Sequence, residues 1–326
     1  MMHVLLKRRI GEAKWLLATC SVAMIWFCWV RVWLVSRIDT DRFTRILDLL
    51  PSDWQRFMSA DFAWLITYAG RLSIAYDELV VVGCMGLWSI ARGSDCVSGE
   101  LGRGTMEMLL AQPLSRFAVL VSQAGVTLIG VAVLAFSAWF GTFLGIQTTT
   151  VEQQVTSSWE LPLPLPLVGS EIPVPFAEPQ TKQVAMRELV DSQLFIPPSI
   201  GLFAFGAMIA GFTALMSSWD RYRWRTIGIV TFICLVQLIV KLVGLASDDY
   251  AWMMYLSAFT AYEPEMLVQI ADQRPQFTWS LHLYDADGQW NGFGPLSNYL
   301  TMIAIGAIGY LTALVIFSKR DLPAPL

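Results

Sequence analysis

Six stretches of this chain are apolar for long enough, or nearly long enough, to cross a bilayer, and that limits the fold more than any other feature. A hydrocarbon core about 30 Å thick takes roughly 20 helical residues to span. Residues 15–35, 117–146, 196–218, 226–246 and 298–317 meet that length with few charges, while 74–90 is shorter and carries Asp77 and Glu78 in its first turn. Inside lipid every backbone N–H and C=O needs an internal partner, so such stretches become helices. The expectation is an all-α polytopic membrane protein, residues 1–326 forming one transmembrane domain of six helices. Only 15% of the residues are charged, against about a quarter in soluble domains, and no loop is large enough to be a soluble catalytic domain.

The basic start (Lys7, Arg8, Arg9, Lys14) followed by 15–35 reads as an uncleaved signal anchor, being too long for a signal-peptide core. Lys and Arg counts then set the orientation. With the N-terminus inside, the inner segments 1–14, 92–116, 219–225 and 318–326 hold 12 Lys and Arg in about 55 residues, and the outer segments hold 8 in about 135. Both termini are therefore expected to be cytoplasmic, and the long loops 147–195 and 247–297 to face out. Trp26, Trp29 and Trp33 near the outer end of the first span, and Trp219 and Trp224 around the inner turn, fit headgroup-level anchors.

Several chemistries are excluded. The net charge of −4 gives no reason to expect a nucleic-acid partner. With His3 and His282 the only histidines and no CxxC among five cysteines, neither a metal centre nor His-based catalysis is expected. There is no GxxxxGK[ST] loop to cradle a nucleotide.

The most informative segment is the loop 98–116. Gly104 and Thr105 mark a helix start, the Thr hydroxyl being able to cap free N–H groups, and Glu107 suits the positive end of the helix dipole. Met106, Leu109 and Leu110 form an apolar face that Met108 widens, and Pro113 stops the helix. Ser115 can cap the next span, with Arg116 at the interface. The result is a short amphipathic helix over 105–112 at the membrane surface, which either lies on lipid or docks on a partner.

This pattern resembles the permease subunits of ABC-2 type transporters, whose corresponding loop reads E-x-E-x-G-T-L-E-x-L-L-x-x-P-x-S-R. Glu100, Gly104, Thr105, Glu107, Leu109, Leu110, Pro113, Ser115 and Arg116 match; Met106 stands for the usual Leu and Gly102 for the second acid. The ending Phe317-Ser318-Lys319-Arg320-Asp321-Leu322 and the segment Leu256-Ser257-Ala258-Phe259 are also similar to the family, with Ala258 where Pro is common. The resemblance implies an ABC-2 (type V exporter-like) permease architecture in a bacterial inner membrane, with no enzymatic activity and no cofactor of its own. ATP and Mg would be bound by a separate cytoplasmic ABC ATP-binding subunit docking on the helix 105–112. A second permease copy, identical or related, would complete an exporter. Two other readings stand beside it: a membrane-embedded lipid-modifying enzyme using Asp77, Glu78 and outer acids, and a non-transporting anchor that recruits an ATPase.

Other features carry less. Lys241, with Gln237 one turn below it, either snorkels to the outer interface or serves a substrate or pairing role. Arg31 is expected to snorkel. Gly141 and Gly145, the glycines of 196–218 and the small residues of 298–317 suit close helix packing, within the fold or at a dimer seam. The run Leu161–Pro166 with Pro173–Pro175 should be stiff and extended, a spacer or a dock for an extracytoplasmic partner. A short helix is expected over 182–194, a re-entrant or interfacial helix over 251–259, and a plain turn at Asp285-Ala286-Asp287-Gly288.

Overall fold

The structure, a computed structural model, describes all residues except 1, 39–59, 111–114, 156–157, 161–170, 174–179, 285–288 and 321–326. It describes the backbone alone at 2–6, 62, 107, 109–110, 153–155, 158–160, 171–173, 180–182 and 291. The helices are α1 (Met2–Arg37), α2 (Phe62–Leu65), α3 (Tyr68–Ser73), α4 (Leu79–Ser94), α5 (Ser98–Gly102), α6 (Thr105–Leu110), α7 (Arg116–Thr148), α8 (Met186–Leu189), α9 (Ile196–Trp219), α10 (Arg223–Ala246), α11 (Pro264–Gln273) and α12 (Pro295–Lys319). Among the described residues six helical segments are long and apolar enough to cross a membrane: Lys7–Arg37, Tyr68–Ser94, Arg116–Thr148, Ser192–Trp219, Arg223–Ala246 and Pro295–Lys319. The chain is thus an all-α polytopic protein, and each spanning helix runs a few residues past its apolar stretch.

The helix ends follow local chemistry. The Ser115 hydroxyl accepts from the Ala118 N–H and starts α7, as its sequence position suggests. Prolines fall in the first turns of α9, α11 and α12, where a missing N–H costs nothing.

The fourth span is the centre of the bundle: 72% of its apolar window is buried, against 11% for the fifth, which lies at the rim. α9 packs along α12, α4 and α7, and α1 packs along α7 and α4. Close approach depends on missing side chains. A Cβ on Gly211 would lie 2.0 Å from the Gly306 carbonyl oxygen, so α9 and α12 touch backbone to backbone. A Cβ on Gly130 would lie 2.0 Å from the Trp88 ring, whose Nε1 donates to the Thr127 carbonyl at 3.0 Å. Gly141 and Gly145 seat α7 on Ile25, Cys28 and Val32 of α1. These small residues therefore pack the fold internally.

The second span departs from the continuous helix expected over 74–90. α3 passes into a 3-10 turn, Ile74–Tyr76, and α4 begins afresh after Glu78, whose backbone is extended. Asp77 and Glu78 sit at this break, not inside a helical first turn. Irregular backbone at membrane depth is tolerated where protein buries it and supplies the lost bonds. Tyr76 is fully buried, and its carbonyl accepts from the Tyr262 hydroxyl at 2.7 Å. The Tyr76 hydroxyl accepts from Ser199 at 3.2 Å.

The loop after the third span also differs from expectation. Its described parts are antiparallel strands: β1 (Thr150–Val155) pairs with β4 (Gln180–Ala185), and β2 (Ser158–Glu160) with β3 (Glu171–Pro173). The helix expected over 182–194 is instead the end of β4, the single turn α8, and a 3-10 turn Ser192–Phe195. Val151 and Val184 face each other across this ladder, and β-branched residues suit a strand. Most of the proline-rich run, 161–170 and 174–179, lies outside the described residues, as does the turn at 285–288 between β5 (His282–Tyr284) and β6 (Trp290–Phe293).

After α10, the segment 248–261 runs as two 3-10 stretches, Asp248–Leu256 and Ala258–Ala261, before α11. Neither stretch is among the six segments long and apolar enough to cross a membrane, and the helix expected over 251–259 is 3-10 in form. Trp252, Tyr255 and Leu256 are exposed on it, while Phe259 stacks edge-on to Phe205 at 5.1 Å.

Candidate functional site

The loop 98–116 lies at the end of the bundle where α1 begins and α12 ends, here called the terminal face. Its helix is split in two. α5 ends at Gly102, and Gly104, at φ +69°, turns the chain into α6. That conformation is open to glycine at no cost and strained for other residues.

Glu100 is the hub. Its side chain is wholly buried, and its carboxylate accepts from Arg9 of α1, from Arg103 at 2.7 Å and from the Thr105 hydroxyl. Thr105 therefore does not simply cap α6; its hydroxyl donates to Glu100 and closes the turn between α5 and α6. Burial alone would raise the Glu100 carboxyl, but the Thr105 bond, Arg9 and Arg103 together outweigh it and hold the group down at about 2. Next to it, Asp95 is shared by Arg103 at 2.7 Å, Arg92 at 3.3 Å and Arg223 at 3.6 Å. The first, second and fifth spans and the loop thus meet in one charged cluster.

Met106 is buried in a small apolar core with Cys96, Val97, Leu120, Ala214, Ala313 and Phe317. Burial pushes the Cys96 thiol up to about 12, so it behaves as an apolar group. Met108 is 66% exposed. Met108 therefore does not widen the face that Met106 belongs to, contrary to expectation. Met106 anchors the helix to the bundle, and Met108 points away. The backbone of Glu107, Leu109 and Leu110 is helical, while their side chains, and Gln112 and Pro113 altogether, lie outside what is described.

Arg116 ties the loop to the end of the chain. Its Nη1 donates to the carbonyls of Phe317 at 2.8 Å and Arg320 at 2.6 Å, which α12 leaves without helical partners. Arg320 in turn donates to Ser218 at 2.8 Å. The backbone N–H groups of Val97 and Ser98 donate to Ser217 Oγ at 3.1 and 2.9 Å, fixing the loop's start to α9.

At the opposite end, Gln237 and Lys241 of α10 hold the non-crossing segment. Gln237 Oε1 accepts from the Ala258 N–H at 2.8 Å, and its carbonyl accepts from Ser257 at 2.8 Å. Lys241 Nζ donates to the Tyr262 carbonyl at 3.0 Å and bears electrostatically on Asp77 and Glu263. Lys241 therefore points into the protein. Arg31, expected to snorkel, instead pairs with Glu78 at 2.7 Å. Burial raises the Glu263 carboxyl above its ordinary range; Lys241 pulls it back and Asp77 pushes it further up.

Sequence reasoning found the loop but not its partners. Arg92, Asp95 and Arg223 carry no motif; Arg92 and Asp95 are neighbours along the chain, but the meetings of Arg9 with Glu100 and of Arg223 with Asp95 depend on helix packing across 91 residues and more. A scan against protein-family models finds no match for this chain, and a search of curated proteins finds none either.

Proposed function

We propose that this chain is the membrane-spanning permease subunit of an ATP-driven ABC-2 type transporter, acting in export. The observation that supports it best is the pairing of sequence and anchorage in loop 98–116. The residues resembling the family's coupling helix lie on a short helix whose base is joined to the bundle by Glu100, Met106 and Arg116. Force applied to α6 reaches α1 through Arg9, α9 through Ser217 and α12 through Phe317. A lever of this kind suits a subunit driven from outside itself.

In this reading a separate ABC ATP-binding subunit, holding ATP and Mg, docks on α6 from the cytoplasm. Its closure tilts the spans, and a second permease copy, identical or related, completes the path. The membrane is a bacterial inner membrane, with both termini in the cytoplasm. Against the lipid-modifying alternative, the Glu78 carboxylate is taken up by Arg31 and the Asp77 side chain lies in the field of Lys241.

The test is affinity capture from the native host in mild detergent, with wild type beside Glu107→Arg/Leu110→Asp. An ATPase that accompanies the wild type and is lost from the folded variant supports the reading. A folded wild type that captures none, even after crosslinking, overturns it. ATP-dependent transport in vesicles then separates a permease from an anchor.

A further inference from the structure

The charged cluster at the terminal face leaves a pocket of about 340 Å³ between α1, α4, α10 and the turns that follow α4 and α5. Its charged wall consists of Arg8, Arg92, Arg103 and Arg223 against Glu12 and Asp95, four positive groups to two negative. Arg8, Glu12, Arg103 and Arg223 are each more than a third exposed and form the mouth. Arg92, with 6% of its side chain exposed, forms the floor.

Arg92 is incompletely satisfied. Nη1 reaches Asp95, but Nε and Nη2 are buried with no hydrogen-bond partner. An orphaned donor on a buried guanidinium is costly, more so than on a neutral group. Asp95 cannot relieve it, being already shared among three arginines. Arg9, next to the pocket, also has Nε and Nη2 buried without partners. The three acids Glu12, Asp95 and Glu100 bring their oxygens within 4.8 Å of one another, a spacing that suits a cation. Each, however, already meets an arginine, and an entering cation would face the excess positive charge. The unmet need is for acceptors.

We infer that this pocket binds an anionic phosphate group, with the Arg92 guanidinium, whose Nε and Nη2 are closed off in this structure, turning from the floor to donate to it, and Arg8 and Arg223 on either side at the mouth. Guanidinium forks match tetrahedral oxyanions in this way. The source is either the headgroup of an anionic lipid or free phosphate. Trp15, 75% exposed beside the pocket residue Leu16, is a ring of the kind that favours the headgroup level. The site makes no use of the coupling reading above and is tested without an ATPase.

The experiment is thermal unfolding of the full chain in nanodiscs at matched ionic strength. Neutral phosphatidylcholine discs are compared with discs containing phosphatidic acid, and neutral discs are titrated with inorganic phosphate. The midpoint is expected to rise with one or both. A rise with phosphatidic acid alone names the lipid headgroup, and a rise with inorganic phosphate names the free anion. Arg92→Gln should weaken the apparent affinity about tenfold or more, the worth of one charge-assisted bond pair. Arg223→Gln should weaken it less. Glu12→Gln removes a competing carboxylate from the mouth and should tighten binding, an effect that misfolding cannot imitate. The inference is overturned if neither phosphate source raises the midpoint, if Glu12→Gln binds no more tightly, or if magnesium chloride stabilises the protein where phosphate does not.

Discussion

Around Glu100 and Asp95 the charged side chains are held mainly by other side chains; around Lys241 and Gln237 the polar side chains are held by backbone. Glu100 meets Arg9, Arg103 and Thr105, and Asp95 meets three arginines. Lys241 and Gln237 instead bond the main chain of Tyr262 and Ala258, and the Ser257 hydroxyl donates to the main-chain carbonyl of Gln237. The first arrangement locks a loop onto several helices and depends on every charge being present. The second substitutes for the helical bonds that a non-crossing segment lacks. The two acids respond accordingly: Glu100 is held well below its ordinary 4.5, whereas Glu263 is raised.

The comparison can be broken most severely at Glu100. Glu100→Leu leaves Arg9, only 1% exposed, with no carboxylate nearer than that of Glu12 at 3.8 Å. Removing one partner of a buried pair costs about 3–5 kcal/mol, so the thermal midpoint in detergent should fall steeply or the chain should fail to accumulate. The double variant Glu100→Leu/Arg9→Met should recover much of the loss, because the orphaned charge has gone with its partner. No recovery would mean that Glu100 acts mainly through Thr105 and Arg103.

Gln237→Leu should act more locally. It orphans the Ala258 N–H, worth about 1–3 kcal/mol, and hydrogen exchange over 257–262 should quicken while that over 98–106 stays unchanged. Quickening at both ends would show that they are not independent. Arg31→Gln should do less still. The Arg31–Glu78 pair is only partly buried, 20% and 32% exposed, and the amide that replaces the guanidinium can still donate to Glu78.

Acid should separate the ends by sign. Glu100 has a depressed carboxyl, so its contribution is complete above 4.5 and is lost as pH falls toward about 2. Glu263 has a raised carboxyl, so its contribution is present below 4.5 and is lost as pH rises through its folded value. Acidifying from about pH 7 should first steady 257–267 and then, below 4.5, loosen 98–106, both measured as exchange corrected for intrinsic rate. A common direction at both ends would contradict the assigned environments.

Much of this molecule is legible in its residues. Apolar length alone sets five of the spans, because lipid leaves a long apolar run no alternative to helix. Ser115 and the helix-starting prolines mark boundaries through local bonds, and Gly141 and Gly145 mark a helix contact, though not with which helix. The break at Asp77–Glu78 is not legible, since it exists only because Tyr262 and Ser199 arrive from distant segments to meet Tyr76. Periodicity places Met106 on an apolar face but cannot say that the bundle takes Met106 and leaves Met108 outside. Glu100 is visible as a motif letter; its meeting with Arg9 is a product of packing.

The Arg116 clamp has a consequence for how the protein is made. The carbonyls that receive its guanidinium lie about 200 residues downstream. At ribosomal speeds of about 5–20 residues per second, that is a wait of roughly 10–40 s. Until Phe317 emerges, Arg116 has no helix end to hold, and the socket for Met106 lacks two of its walls, Ala313 and Phe317. The surface loop therefore takes its final shape only once the last helix has been inserted, and a nascent or truncated chain would not present it to a partner.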